Sequence, residues 1–143
     1  MNPVDAIKEK LGKKILDVYE HRANRIYIKF EPADIPEAVE YIFKDLGLRF
    51  AIASGIDTPA GFEILYHFSH DKTGKMITLK TLIKDKKNPR IKSITPIFVG
   101  AEWIEREMWE LLGIEFEGHP NLTRLLIDES LPEDFHPLRQ EER

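Results

Sequence analysis

A chain of 143 residues suits one domain and allows a sizeable core, since a chain of this length buries roughly 68% of its unfolded surface on folding. Its 21 basic and 25 acidic residues leave a net charge of -4, which gives no electrostatic footprint for nucleic acid. With no cysteine, disulfides, thiol nucleophiles and thiolate-held iron-sulfur clusters are excluded, and no apolar run approaches the roughly 18 to 20 residues that span a bilayer.

In chain order, Val4 to Leu11 reads as a short helix with Val4, Ile7 and Leu11 on one side, closed by Gly12. Met1 to Lys14 is too charged for a secretion signal, so a cytoplasmic chain that meets a membrane only through partners is expected. Ile15 to Tyr19 suggests a strand and His21 to Asn24 a turn; Ile26, Ile28 and Phe30 then alternate with Arg25, Tyr27 and Lys29 as in a half-buried strand. Asp34 to Leu46 reads as a helix capped by the pair Asp34 and Glu37, with Pro36 in its first turn and Gly47 after its end.

Leu48 to Ala53 is a predicted strand, Ser54 to Gly61 a turn-rich connection, and Phe62 to Phe68 a strand with Phe62, Ile64, Tyr66 and Phe68 on one face. Asp71 to Gly74 is a hairpin turn, and Met76 to Ile83 returns as its partner. Lys84 to Lys92 reads as a solvated basic loop, because no glycine-rich strand-to-helix turn accompanies it to make a phosphate site. Ile91 to Ile94 suggests a last short strand. The fold class is therefore α+β: a mainly antiparallel sheet with helices packed on one face over residues 1–120, then an extended C-terminal tail over 121–143.

The most informative stretch is WIEREMWELLGIEFEGHP, Trp103 to Pro120. A helix from Ala101 to Leu112 would place Ile104, Met108, Leu111 and Leu112 on a core stripe, and Gly113 would end it in the left-handed conformation. Trp103 and Trp109 fall on flanks outside that stripe, with Glu107 and Glu110 beside Trp103. Two readings stand: a protein-binding surface, or a wide core stripe with two partly buried tryptophans. Arg106 and Glu110 have the spacing of a helix ion pair, so Glu105, Arg106, Glu107 and Glu110 read as ordinary salt bridges rather than catalytic groups. A glycosidase-like carboxylate pair has no cleft to face. The five histidines, His21, His67, His70, His119 and His136, do not have metal-ligand spacing on a helix. His119, in the Gly118-His119-Pro120 turn, is expected to be a hydrogen-bonding strut for the tail.

The tail holds Leu122, Leu125, Leu126, Leu131 and Phe135 but is interrupted by Pro132 and Pro137, so these side chains need a surface outside their own segment, either this domain or a partner. On that ground, removal of Leu131 to Arg143 is expected to leave the thermal stability of the domain nearly unchanged and to weaken assembly.

The string Glu105-Arg106-Glu107, Trp109 to Ile114, Phe116 to Pro120, then Leu122, Arg124 and Leu125-Leu126, resembles the signature of the 30 kDa subunit family of respiratory complex I, the family of the NADH dehydrogenase C-type subunits. That family includes the corresponding subunits of membrane-bound, energy-converting nickel-iron hydrogenases. A second complex I motif is present as Phe135-His136-Pro137-Leu138-Arg139 without its glycine, and Leu131 to Asp134 looks more like the hydrogenase branch. The resemblance implies a non-catalytic assembly subunit of an ion-translocating oxidoreductase, peripheral on the cytoplasmic face of the cell membrane. The hydrogenase type is the main reading and complex I the alternative; a stand-alone small-ligand binding module stays open. It also implies no cofactor on this chain, with iron-sulfur clusters and a nickel-iron centre on partners, and contacts to a large catalytic and a small iron-sulfur subunit. The expected interface joins Trp103, Glu107, Trp109 and Glu110 on the helix to Gly118, His119, Pro120, Leu122, Arg124 and Leu125 after it. Leu131, Phe135, His136, Pro137, Leu138 and Arg139 complete it from the tail.

Overall fold

The hydrophobic alternation of β4, Gly61–His70, is the centre of the fold. Phe62, Ile64, Tyr66 and Phe68 are fully buried, while Glu63, Leu65, His67 and Ser69 between them are partly exposed, because successive side chains on a strand point to opposite faces. The structure is a computed structural model, and it describes residues 2–122 together with His136 and Leu138.

Four further strands complete the main sheet: β1, Ile15–Arg22, β2, Arg25–Phe30, β3, Arg49–Thr58, and β5, Lys75–Ile83. Their order is β1-β2-β5-β4-β3. Neighbours are antiparallel except β2 and β5, which run parallel with Ile26 opposite Ile77 and Ile28 opposite Leu79. The parallel pair arises because the chain leaves β2 through a helical segment, starts β3 at the far edge and returns to the centre by two hairpins.

Helices α1, Pro3–Leu11, α2, Ile35–Glu40, and α3, Ala101–Leu112, share one core with the inward side of the sheet. Ile7, Ile35, Val39, Met108 and Leu112 join Ile28, Ile64 and Leu79 in one buried cluster. The outward side of the sheet carries the exposed Tyr19 and Ile52. Asn2 caps α1 by accepting the Val4 amide at 2.9 Å, with Pro3 next, where its missing N–H is not needed.

Several expectations are corrected. The Asp34–Glu37 capping pair does not form: a 3-10 turn over Pro32–Asp34 puts Asp34 in helical conformation (φ -93°, ψ -6°) with no side-chain cap bond. A capping side chain needs an extended backbone, and Pro36 removes the second amide it would meet. Glu37 instead pairs with Lys14. The predicted single helix to Leu46 is also divided, passing from α2 into a π turn over Tyr41–Asp45.

The turn-rich reading of Ser54 to Gly61 shrinks to Pro59 and Ala60, since β3 continues to Thr58 opposite Gly61. Gly55 marks a close helix approach rather than a turn: a Cβ there would lie 2.7 Å from Leu112 Cδ1 and 3.3 Å from Met108 Sδ. The late short strand is β6, Arg90–Lys92, paired in parallel with an unpredicted β7, Glu115–Glu117. The basic loop before β6 is partly drawn in. Lys86 pairs with the buried Asp57, donates to the Thr58 carbonyl at 3.1 Å and lies 5.4 Å from the centre of the Phe62 ring.

Candidate partner-binding surface

Helix α3 begins where Phe98 wedges between Phe43 and Phe50, ring centres 5.0 and 5.1 Å away. Ala101, Met108 and Leu112 face the core. The helix ends at Gly113, with φ +81° and its amide on the Trp109 carbonyl at 2.8 Å, a left-handed cap that disfavours any side chain. His136 adds a second constraint, because a Cβ on Gly113 would meet its Cδ2 at 2.8 Å.

The two tryptophans differ. Trp103 is 59% exposed, and Val99, in the turn just before the helix, is 76% exposed. Arg106 is buried along most of its length and its guanidinium lies 5.3 Å from the centre of the Trp103 ring. Trp109 is half-buried and meets the His136 ring edge to face at 6.5 Å. Glu107 is exposed near Trp103, but Glu110 is enclosed, so the expected shared flank of Trp103, Glu107 and Glu110 is reduced to the first two. At the backbone of the same residue, His136 Nδ1 donates to the Glu110 carbonyl at 2.8 Å.

After α3, Gly118 and Pro120 are exposed, and Leu122 and His119 are half-buried. His119 uses both ring nitrogens: Nδ1 accepts the Asn121 amide at 2.9 Å, which puts the proton on Nε2, and Nε2 donates to the Glu102 carbonyl at 2.8 Å. The 118–122 turn is thereby tied to the first turn of α3. At the other end of the helix the Leu138 amide donates to the Leu111 carbonyl at 2.9 Å, so His136 and Leu138 together satisfy two of the carbonyls that a helix end leaves open. Leu138 itself is exposed. Arg124, Leu125, Leu131, Phe135, Pro137 and Arg139 lie outside the described residues.

The charged string on α3 is not a solvated face. Glu105 is buried, with one carboxylate oxygen accepting the Ser93 hydroxyl at 2.5 Å and the other the Ile94 amide at 2.9 Å. Burial pushes its carboxyl up to about 7, against the opposing pull of those two bonds. Tyr66 lies in the same interior and its phenol is pushed up, first by burial and then by the Glu105 charge. Sequence reasoning missed Glu105 as an interior residue. The signal was present, since Ala101, Glu105, Met108 and Leu112 fall at successive spacings of four, three and four, a better inward stripe than the one that includes Ile104 and Leu111.

Among the described residues, no helix is long and apolar enough to cross a membrane. At its start α3 presents an exposed indole, Trp103, with the exposed Val99 just before the helix, the exposed Glu107 one turn on and the Arg106 guanidinium against the ring.

Comparison with known proteins covers most of the chain. Residues 28–143 match the family described as the respiratory-chain NADH dehydrogenase 30 kDa subunit. The NADH-quinone oxidoreductase C-type subunit of Chelativorans sp. (strain BNC1) is 33% identical over 141 residues, covering 94% of this chain and 68% of that protein. Its counterpart in Chloroherpeton thalassium is 33% identical over 140 residues, covering 94% and 57%. In three dimensions the chain resembles a trypsin-resistant fragment (1-134) of Nqo5, with TM-score 0.71 and 22% identity over 85% of this chain and all of that one. It also resembles a chain of the membrane-bound sulfane sulfur reductase, an archaeal respiratory membrane complex, with TM-score 0.79 and 23% identity over 95% and 81%; at such identities the likeness is one of fold. The chain belongs to the 30 kDa subunit family of the respiratory-chain NADH dehydrogenase.

Proposed function

We propose that this chain is a non-catalytic assembly subunit of a membrane-associated respiratory oxidoreductase of the NADH–quinone oxidoreductase type. It would sit peripherally on the cytoplasmic face and hold a large catalytic subunit against a small iron-sulfur subunit, the two that carry the redox centres. The observation that supports this most is the exposed Trp103 in the first turn of α3, with the exposed Val99 just before the helix, within the segment that matches the family. Large aromatics are enriched at the centres of protein interfaces, where they contribute disproportionately to affinity.

The sequence relatives are C-type subunits of NADH-quinone oxidoreductases and favour that type over the hydrogenase type, the main expectation from sequence. The hydrogenase reading keeps one supporting observation, the Leu131-Pro132-Glu133-Asp134 sequence.

Purification of the tagged full chain from its native host tests the proposal. A large subunit and a small iron-sulfur subunit should co-elute, and the identity of the large subunit separates the two types, since a hydrogenase-type subunit would hold metal-binding cysteines. A monomer that turns over a substrate alone would overturn it.

A further inference from the structure

Glu105 connects the middle of α3 to the segment that precedes the helix. Its side chain is 1% exposed. One oxygen accepts Ser93 Oγ–H and the other the Ile94 amide. Ser93 Oγ in turn accepts the Thr95 amide at 3.0 Å and shares a hydrogen bond with Thr95 Oγ1 at 2.7 Å. These bonds hold the start of segment 93–100, whose end carries Val99 and leads into Trp103. We propose that Glu105 is a proton-operated latch that sets how firmly segment 93–100 is held against α3.

The hydrogen-bond chain can run in either direction. With Glu105 ionised, the Ser93 hydroxyl donates to the carboxylate and the Thr95 hydroxyl to Ser93. When Glu105 takes a proton from solvent on the oxygen facing Ser93, that O–H donates to Ser93 Oγ, and the Ser93 hydroxyl turns to Thr95 Oγ1. The Ile94 amide keeps its acceptor on the other oxygen in both states, and no heavy atom has to move. What differs is the charge left in the interior, which is costly without a partner cation.

Among the described residues, the groups around Glu105 do not supply that cation. Segment 93–100 has no ionisable side chain. From β4 comes the buried phenol of Tyr66, kept protonated by burial and by the Glu105 charge and so uncharged itself. The acid of β3, Asp57, is paired with Lys86, and Glu115 and Glu117 of β7 are exposed. On α3 itself, Arg106 directs its guanidinium over Trp103, and Glu102 has its carbonyl bound by His119.

The carboxyl value in the folded chain, about 7, lies above the ordinary 4.5. Below pH 4.5 the latch is at full strength. As pH rises toward 7 the open segment releases a proton more readily than the latched one, so the latch weakens, and above 7 the effect levels off. The consequence for docking through Trp103 rests on the proposed function; the latch itself does not.

The test is amide exchange of Ile94 and Thr95 in the full chain between pH 5.5 and 8, corrected for intrinsic exchange, alongside 13C titration of the Glu105 carboxyl. The opening constant should rise with pH, approaching tenfold per unit as the limit for one linked proton, and flatten near the carboxyl midpoint at about 7. Glu105→Gln, which mimics the neutral donor-acceptor state, should show no such rise. Ser93→Ala, which removes a bond that favours ionisation, should move the midpoint upward. Equal pH dependence in wild type and Glu105→Gln, or a carboxyl midpoint near 4.5, would overturn the latch. Should Glu105→Gln fail to fold, the wild-type titration and the Ser93→Ala shift decide alone. None of these readings involves a partner subunit, so failure of the latch and failure of the assembly proposal are separate results.

Discussion

Tyr66 shows how a single residue can be both central and unfavourable. Its ring is fully buried in the core, yet its hydroxyl has no hydrogen-bond partner among the described residues, and an unmet buried hydroxyl costs about 1–3 kcal/mol. Tyr66→Phe keeps the ring and removes the orphaned oxygen. It should raise stability by about 1 kcal/mol, seen as a higher urea midpoint at unchanged slope. A loss of stability would mean that the hydroxyl is satisfied. Gly55 is the complementary case. Its hydrogen is all that fits beneath Leu112 and Met108, so Gly55→Val should destabilise by roughly 1–3 kcal/mol through overpacking, measured the same way. The conformational reading of Gly113 was available from its place after an apolar helix. The packing role of Gly55 was not, because nothing local distinguishes a strand glycine under a helix from a glycine in a turn.

At the scale of elements, sequence period and structure agree where one force decides. In β4 the alternation of Phe62, Ile64, Tyr66 and Phe68 is decided by burial on one face, and α3 starts and stops at Ala101 and Leu112 as expected. They diverge where tertiary contacts choose among local options. Asp34 and Glu37 have the spacing of a cap, but the prolines on either side and the reach of Lys14 direct them elsewhere. β7 is only Glu115–Glu117, and its pairing with Arg90–Lys92 lies too far along the chain for local pattern to reveal. Glu105 was legible in spacing and hidden by its chemistry, since a carboxylate on an apolar stripe reads as solvent-facing until its donors are known.

The tail modifies one expectation in the same way. His136 and Leu138 bond to the Glu110 and Leu111 carbonyls at the end of α3. Removal of Leu131 to Arg143 therefore should not leave the domain unchanged, as burial against a partner alone would imply. It should lower stability by about 1–3 kcal/mol, two helix-end hydrogen bonds at about 0.5–1.5 kcal/mol each, with the sheet intact by circular dichroism. An unchanged melting temperature would show that these bonds contribute nothing in solution.

For the whole molecule, a one-sided sheet covered by three helices leaves α3 as the element that is both anchored in the core and open at its start. Rigidity is what an assembly surface needs, since a preformed anchor avoids ordering costs on binding. Arg106 beneath Trp103, Phe98 between two rings and His119 on the first-turn carbonyl all hold that end of the helix in place. Because 59% of Trp103 is already in solvent, its removal costs the isolated chain little and a complex much. The most direct measurement compares tagged wild type and Trp103→Ala, expressed in the native host and purified in parallel, with the melting temperature of each isolated chain recorded. The account predicts melting temperatures within about two degrees, a difference of about 0.5 kcal/mol at most for an exposed site, and at least a tenfold loss of the co-purifying large subunit, from about 2 kcal/mol at an interface anchor. Undiminished recovery of the large subunit with Trp103→Ala would contradict it.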